Sequence, residues 1–142
     1  MTSASERWKR VLKVRAVQRR VLEIQLFKSE AEARALADLR DRINAIRDAA
    51  QPLVGINDGV KLQYVCELSS RLNAANRALA YPSKRAAEAS IRDKYAVLAA
   101  KQRETVIEKL DTAAAQQEAK NAQDRQLRAN VFRKSLKQGG TV

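Results

Sequence analysis

The chain contains no histidine, one cysteine (Cys66), two prolines and four glycines in 142 residues, and its aromatic content is 4%. Without imidazole and with one thiol, it cannot use histidine acid–base catalysis, an intramolecular disulfide or a Cys/His zinc site. So few aromatics supply neither the bulk of a thick globular core nor the stacking surfaces of a single-strand nucleic-acid binder. No run alternates long enough to predict a strand, since Val and Ile mostly stand singly among Arg, Gln, Glu and Ala. The longest mostly apolar stretch, RVLEIQLF (20–27), is interrupted by charge and falls far short of the roughly 20 residues that span a bilayer. A soluble protein is expected. RWKRVLKVRAVQRR (7–20) has the composition of a transit peptide, but its pattern runs on into acidic sequence without a small-residue cleavage site, so no cleaved presequence is expected.

What is present is charge and helix former. Charged residues make up 31% of the chain, and the formal net charge is +12. The excess lies at the two ends. Residues 1–20 carry seven basic side chains against Glu6, and residues 120–142 carry six against Asp124, whereas the 99 residues between them hold 15 basic and 14 acidic ones. Such a distribution points to an acidic partner for the termini.

The apolar residues follow helical spacing. Ser3 and Glu6 have the capping-box interval, placing the first helix start near Ser3 or Ser5. A first seam can be followed through Val14, Val17, Val21, Ile24, Lys28, Ala31, Ala35, Leu39, Ile43, Ile46, Ala50 and Leu53, with a four-residue stutter between Ala35 and Ile43. A second runs through Val65, Leu68, Leu72, Ala75, Leu79, Pro82, Ala86 and Ala89, then Ile91, Tyr95, Leu98, Gln102, Val106, Leu110 and Ala113. Pro82 predicts a kink or the start of a third helix, the kink being preferred. Four i,i+4 ion pairs are expected on exposed faces: Glu30–Arg34, Asp38–Arg42, Glu88–Arg92 and Asp124–Arg128.

Between the seams lies QPLVGINDGV (51–60), where Pro52, Gly55 and Gly59 crowd together. It lacks the spacing of a phosphate loop, and INDG lacks the ligand series of a calcium loop. It therefore reads as a turn, with Asn57 or Asp58 capping the second helix. The predicted fold is all-α: a long antiparallel two-helix coiled-coil hairpin in one domain, with helix 1 over about 5–51, a turn over 52–59, helix 2 over 60–136 and a tail over 137–142. Reversal about Gly55 sets residue i opposite residue 110 minus i. Ile43 then meets Leu68, Leu39 meets Leu72 and Trp8 falls near Gln102, leaving roughly 30 residues of helix 2 projecting past helix 1. No catalytic constellation, metal site or cofactor is expected.

The basic start with VLKVRAVQRR, the Gly-containing turn near residue 55, LQYVCELSSRLNAANRAL opening helix 2 and the charged KQRETVIEKLDTAAAQQEAKNAQDRQLRANVF together resemble the flagellar export protein FliJ family. That family is related to YscO-type stalk proteins of type III secretion. The resemblance implies a noncatalytic stalk that couples a hexameric export ATPase to a membrane export-gate protein and escorts unloaded substrate chaperones. It also implies a cytoplasmic protein peripherally associated with the inner membrane at the flagellar base. The end bearing the termini would enter the ATPase ring, with Arg7, Lys9, Arg10, Lys13, Arg125, Arg128, Arg133 and Lys134 as its contacts. A gate-contact stripe would fall on Tyr64, Leu68, Leu72, Ala75 and Leu79, with Arg71 and Asn76 as exposed alternatives. A second reading rests on charge alone: a basic coiled coil binding nucleic acid or an anionic membrane nonspecifically.

Overall fold

A computed structural model describes residues 3–50 and 59–139. It contains two helices, α1 (Ala4–Ala50) and α2 (Gly59–Gln138), packed antiparallel as an all-α hairpin, and no strand among the described residues. The expected turn lies outside the described residues except for Gly59, which opens α2. The start of α1 follows the capping signal, as the amide of Glu6 donates to Ser3 Oγ at 3.2 Å.

The chain divides into two compact units, a terminal unit (Met1–Arg19 with Ala99–Val142) and a central unit (Arg20–Leu98). Each contains a segment of α1 against a segment of α2. In the central unit, Asn76 Nδ2 donates to Asn44 Oδ1 at 3.0 Å, and Lys94 Nζ lies 3.6 Å from Glu30 Oε1. The paired numbers total 120 and 124, where the turn-based expectation was 110. In the terminal unit, Arg19 Nε lies 2.6 Å from Glu104 Oε2, a total of 123. The register is thus displaced by about a dozen residues. The expectation assumed that the helices begin level at a tight reversal, whereas these contacts put the start of α2 about a dozen residues ahead of the level at which α1 ends.

The seam also differs from the expected one. On α1 the inward residues are Ser5, Trp8, Leu12, Arg15 and Arg19 in the terminal unit. They continue as Leu22, Leu26, Ser29, Ala33, Leu36, Ile43, Arg47 and Ala50 in the central unit. These hold a 3,4 spacing with no stutter, passing over only an exposed Arg40. Val14, Val17, Val21 and Ile24, all expected inside, are exposed. They sit two residues from the inward set, or about 200° around the helix, and so face almost directly away.

On α2 the expectation holds through the first half, where Val65, Leu68, Leu72, Ala75, Leu79, Ala86 and Ala89 are buried or half-buried. Beyond it fails. The inward set continues through Ser90, Asp93, Val97, Ala100, Glu104, Ile107, Asp111, Ala114 and Glu118, while Ile91, Tyr95, Leu98, Val106 and Leu110 are exposed. Following the bulkiest residues required a two-residue jump from Ala89 to Ile91. The helix instead keeps its period and accepts smaller, more polar residues in the seam.

α2 runs as one helix through Pro82, so no third helix begins there. Pro82 is exposed, with Ser83 taking the inward position beside it. Ala78, whose carbonyl loses its usual donor, is exposed too, so water can serve that carbonyl. The Arg85 guanidinium lies 5.8 Å from the Tyr81 ring centroid next to the proline, and both line a shallow hollow with Glu32, Ala86 and Ala89. Of the expected i,i+4 pairs, Glu30–Arg34 closes at 3.5 Å; the other three do not form among the described residues. Arg71–Glu67, not expected, does form, at 2.5 Å.

Candidate functional site

The terminal unit concentrates the charge. Its residues include 15 basic and 6 acidic side chains, a net +9, leaving 13 against 10, or +3, in the central unit. Burial then separates the two signs within the terminal unit. Glu118 Oε1 accepts from the Ser5 amide at 3.2 Å, Asp111 Oδ1 accepts from Ser5 Oγ at 2.9 Å, and Glu104 accepts from Arg19. Glu118 and Asp111 lie beside the first turn of α1, where the unsatisfied amides and positive dipole end favour them, and Glu104 lies farther along, against the Arg19 guanidinium. Half of the unit's acidic groups are consequently turned into the seam. Glu6, Glu108 and Asp124 are the ones left exposed.

The cations stay outside. Arg7, Lys9, Arg10, Lys13, Arg125, Arg128, Arg133 and Lys134 are all exposed, and none forms an ion pair with the described residues. The structure brings all eight into one compact unit. Trp8 is half-buried on the inner face of α1, well past the expected level of Gln102 on α2, since Ser5 three residues earlier already reaches Asp111 and Glu118. Beyond Glu118 every described residue of α2 is exposed. The overhang is therefore about 20 residues, or ~30 Å, shorter than the roughly 30 residues expected from the tighter register. It carries Lys120, Arg125, Arg128, Arg133, Lys134 and Lys137 against Asp124.

The second candidate surface lies in the central unit. Leu68, Leu72, Ala75 and Leu79 are half-buried, and Tyr64 is the exposed member of that group, at 67%. Arg71 is exposed and paired with Glu67. Asn76 is half-buried, correcting its expected exposure, and bonded to Asn44. Asn76 Oδ1 and Ser83 Oγ are buried without a hydrogen-bond partner, a cost these seam positions carry.

Sequence reading missed Glu104, Asp111, Glu118 and the Asn44–Asn76 layer. The signal was available: from Val65, strict 4,3 steps reach Glu118 through Asn76, Asp93, Glu104 and Asp111 without a break. Among the described residues no group of acidic, Cys or His side chains could hold a metal, and no helix is long and apolar enough to cross a membrane. No family model, curated protein or solved structure matches the chain.

Proposed function

We propose that the chain is a noncatalytic stalk of a bacterial type III protein export apparatus, of flagellar kind, coupling a hexameric export ATPase to the membrane export gate and escorting substrate chaperones. The observation that carries the reading is the terminal unit: eight exposed cations without an ion-pair partner among the described residues, on a helix pair whose longer member continues exposed past Glu118. A narrow helical tip with outward positive charge suits insertion into an acidic-lined ring, where charge complementarity gives rapid and oriented docking. On this reading Arg7, Lys9, Arg10, Lys13, Arg125, Arg128, Arg133 and Lys134 contact the ring. Tyr64 is the gate-facing residue that needs no rearrangement, because it is exposed whereas Leu68, Leu72, Ala75 and Leu79 are already half-buried. The protein would work in the cytoplasm, peripherally attached at the inner face of the membrane.

The test is to add the purified chain to the export ATPase from the same organism. Hexamer formation and ATP turnover should both rise. Arg125→Glu/Arg128→Glu should reduce the stimulation without loss of helicity, because both side chains lie on the overhang. No stimulation at low salt overturns the proposal. So does comparable affinity for random duplex DNA with log K falling steeply with log salt, which identifies a general polyanion binder.

A further inference from the structure

The overhang of α2 carries an apolar face as well as charge. Leu127, Val131, Phe132 and Leu136 are each more than 60% exposed. At about 100° per residue they fall within one half of the helix circumference. Leu127, Val131 and Phe132 line a shallow groove with Arg128 and Ser135. Nothing in α1 reaches this level, so intramolecular packing does not account for four large apolar side chains on a segment whose net charge is +5.

We propose that the last turns of the overhang, residues 127–138, form an amphipathic helix that docks on an anionic lipid surface. Three features select this occupant. The positive excess repels a second copy of the same segment and calls for a negatively charged partner. Arg133, Lys134 and Lys137 occupy the half of the helix opposite the apolar residues and at their level, while Lys120, Asp124 and Arg125, in the turns before Leu127, end the apolar face there. That arrangement lets a helix lie in the headgroup plane with its apolar side chains among the acyl chains. Arg128 and Ser135 stand within the apolar arc itself. In a dry protein groove Arg128 would be a buried cation needing a dedicated partner, whereas at a lipid interface its long stem reaches up to a phosphate while Phe132 stays below. Arg128, Arg133 and Lys134 are ring contacts in the stalk reading, so one overhang does not meet ring and lipid at once; lipid docking itself requires no ATPase, and either reading can fail alone.

The experiment is flotation of the full chain with phosphatidylcholine vesicles, with or without about one-third phosphatidylglycerol. The chain should float with the anionic vesicles only. Phe132→Ser/Leu136→Ser should lower partitioning about tenfold or more, because it removes two of the four apolar anchors. Arg133→Gln/Lys134→Gln should lower it about fivefold per charge, with loss at high salt. Circular dichroism of the variants without lipid should match the parent. In a Trp8→Phe background, Phe132→Trp should shift its emission to the blue on anionic vesicles, a readout that does not depend on the weakened variants. The proposal is overturned if the chain ignores anionic vesicles, or if Phe132→Ser/Leu136→Ser binds them as tightly as the parent, which would make attachment purely electrostatic. It is equally overturned if an acidic polypeptide or duplex DNA, and not the vesicles, binds in a way that requires Phe132 and Leu136.

Discussion

The helix register can be tested with cysteines placed at two competing levels. In a Cys66→Ser background, which removes the exposed native thiol, Asn44→Cys/Asn76→Cys should form an intramolecular disulfide under mild oxidation. The two side chains meet at 3.0 Å in the seam of the central unit. Leu39→Cys/Leu72→Cys is the opposing pair, suited to a hairpin that reverses about Gly55. In the observed register the central-unit pairs total 120 to 124, which puts Leu39 near residue 83 of α2. Leu72 is then about 11 residues away along that helix, or ~16 Å at 1.5 Å per residue. Disulfides require Cα atoms within about 7 Å, so this pair should stay reduced within one molecule. Non-reducing electrophoresis at low protein concentration, with peptide mapping, reads both pairs. A disulfide at 39/72 with none at 44/76 would refute the register and the polar seam with it.

Other consequences follow from the same geometry. Arg19 and Glu104 touch at 2.6 Å with side chains only 27% and 16% exposed, so a double-mutant cycle with Arg19→Ala and Glu104→Ala should give a coupling of ~1–2 kcal/mol in urea unfolding. A value near zero would mean that solvent screens the pair as it does surface pairs. Val21→Ser should change stability by no more than ~0.5 kcal/mol, because Val21 is 59% exposed, whereas Leu22→Ala on the inner face should cost ~1–2 kcal/mol. The reverse order would restore the Val-based seam. Asn44→Leu/Asn76→Leu should raise the midpoint of unfolding by removing a partly satisfied polar pair, while making the pairing of the helices less uniform in cysteine crosslinking elsewhere in the seam.

Local signals in the sequence located the helices well, and the pairing of those helices poorly. Ser3 with Glu6 marked the first turn, and scarce Gly and Pro outside 51–60 left little else to end a helix. These depend on neighbours along the chain. Which stripe turns inward depends on the other helix, and here two stripes on α1 compete at almost opposite faces. Val14, Val17, Val21 and Ile24 form a regular set, yet Trp8, Leu12, Leu22 and Leu26 form the set that is covered. Counting apolar residues favours neither stripe strongly. Uninterrupted spacing from Ser5 to Ala50 and from Val65 to Glu118 separates them, and the polar residues included in that spacing obscured it. The eight proposed ring contacts were readable as charge, because exposed cations at the chain ends need no tertiary information. Their isolation from the acidic residues was not readable, since it depends on Glu104, Asp111 and Glu118 being taken up by α1.

That division of charge ties the packing to the proposed roles. If Glu104, Asp111 and Glu118 lay on the outside of the terminal unit, each would stand within reach of neighbouring Lys or Arg and screen the positive surface at short range. In the seam, Asp111 and Glu118 instead accept from Ser5 at the start of α1 and Glu104 from Arg19, while Arg7, Lys9, Arg10, Lys13, Arg125, Arg128, Arg133 and Lys134 form no ion pair with the described residues. The same carboxylates end the packed part of α2 at Glu118, which leaves the overhang free to present its apolar half and its basic residues together. One set of side chains thus fixes the register, limits where α1 can reach and strengthens the outward field. Neutralising Asp111 and Glu118 as amides should therefore weaken the hairpin and loosen its register, and a slide of α1 by one heptad toward the end of α2 would cover the first turns of the overhang.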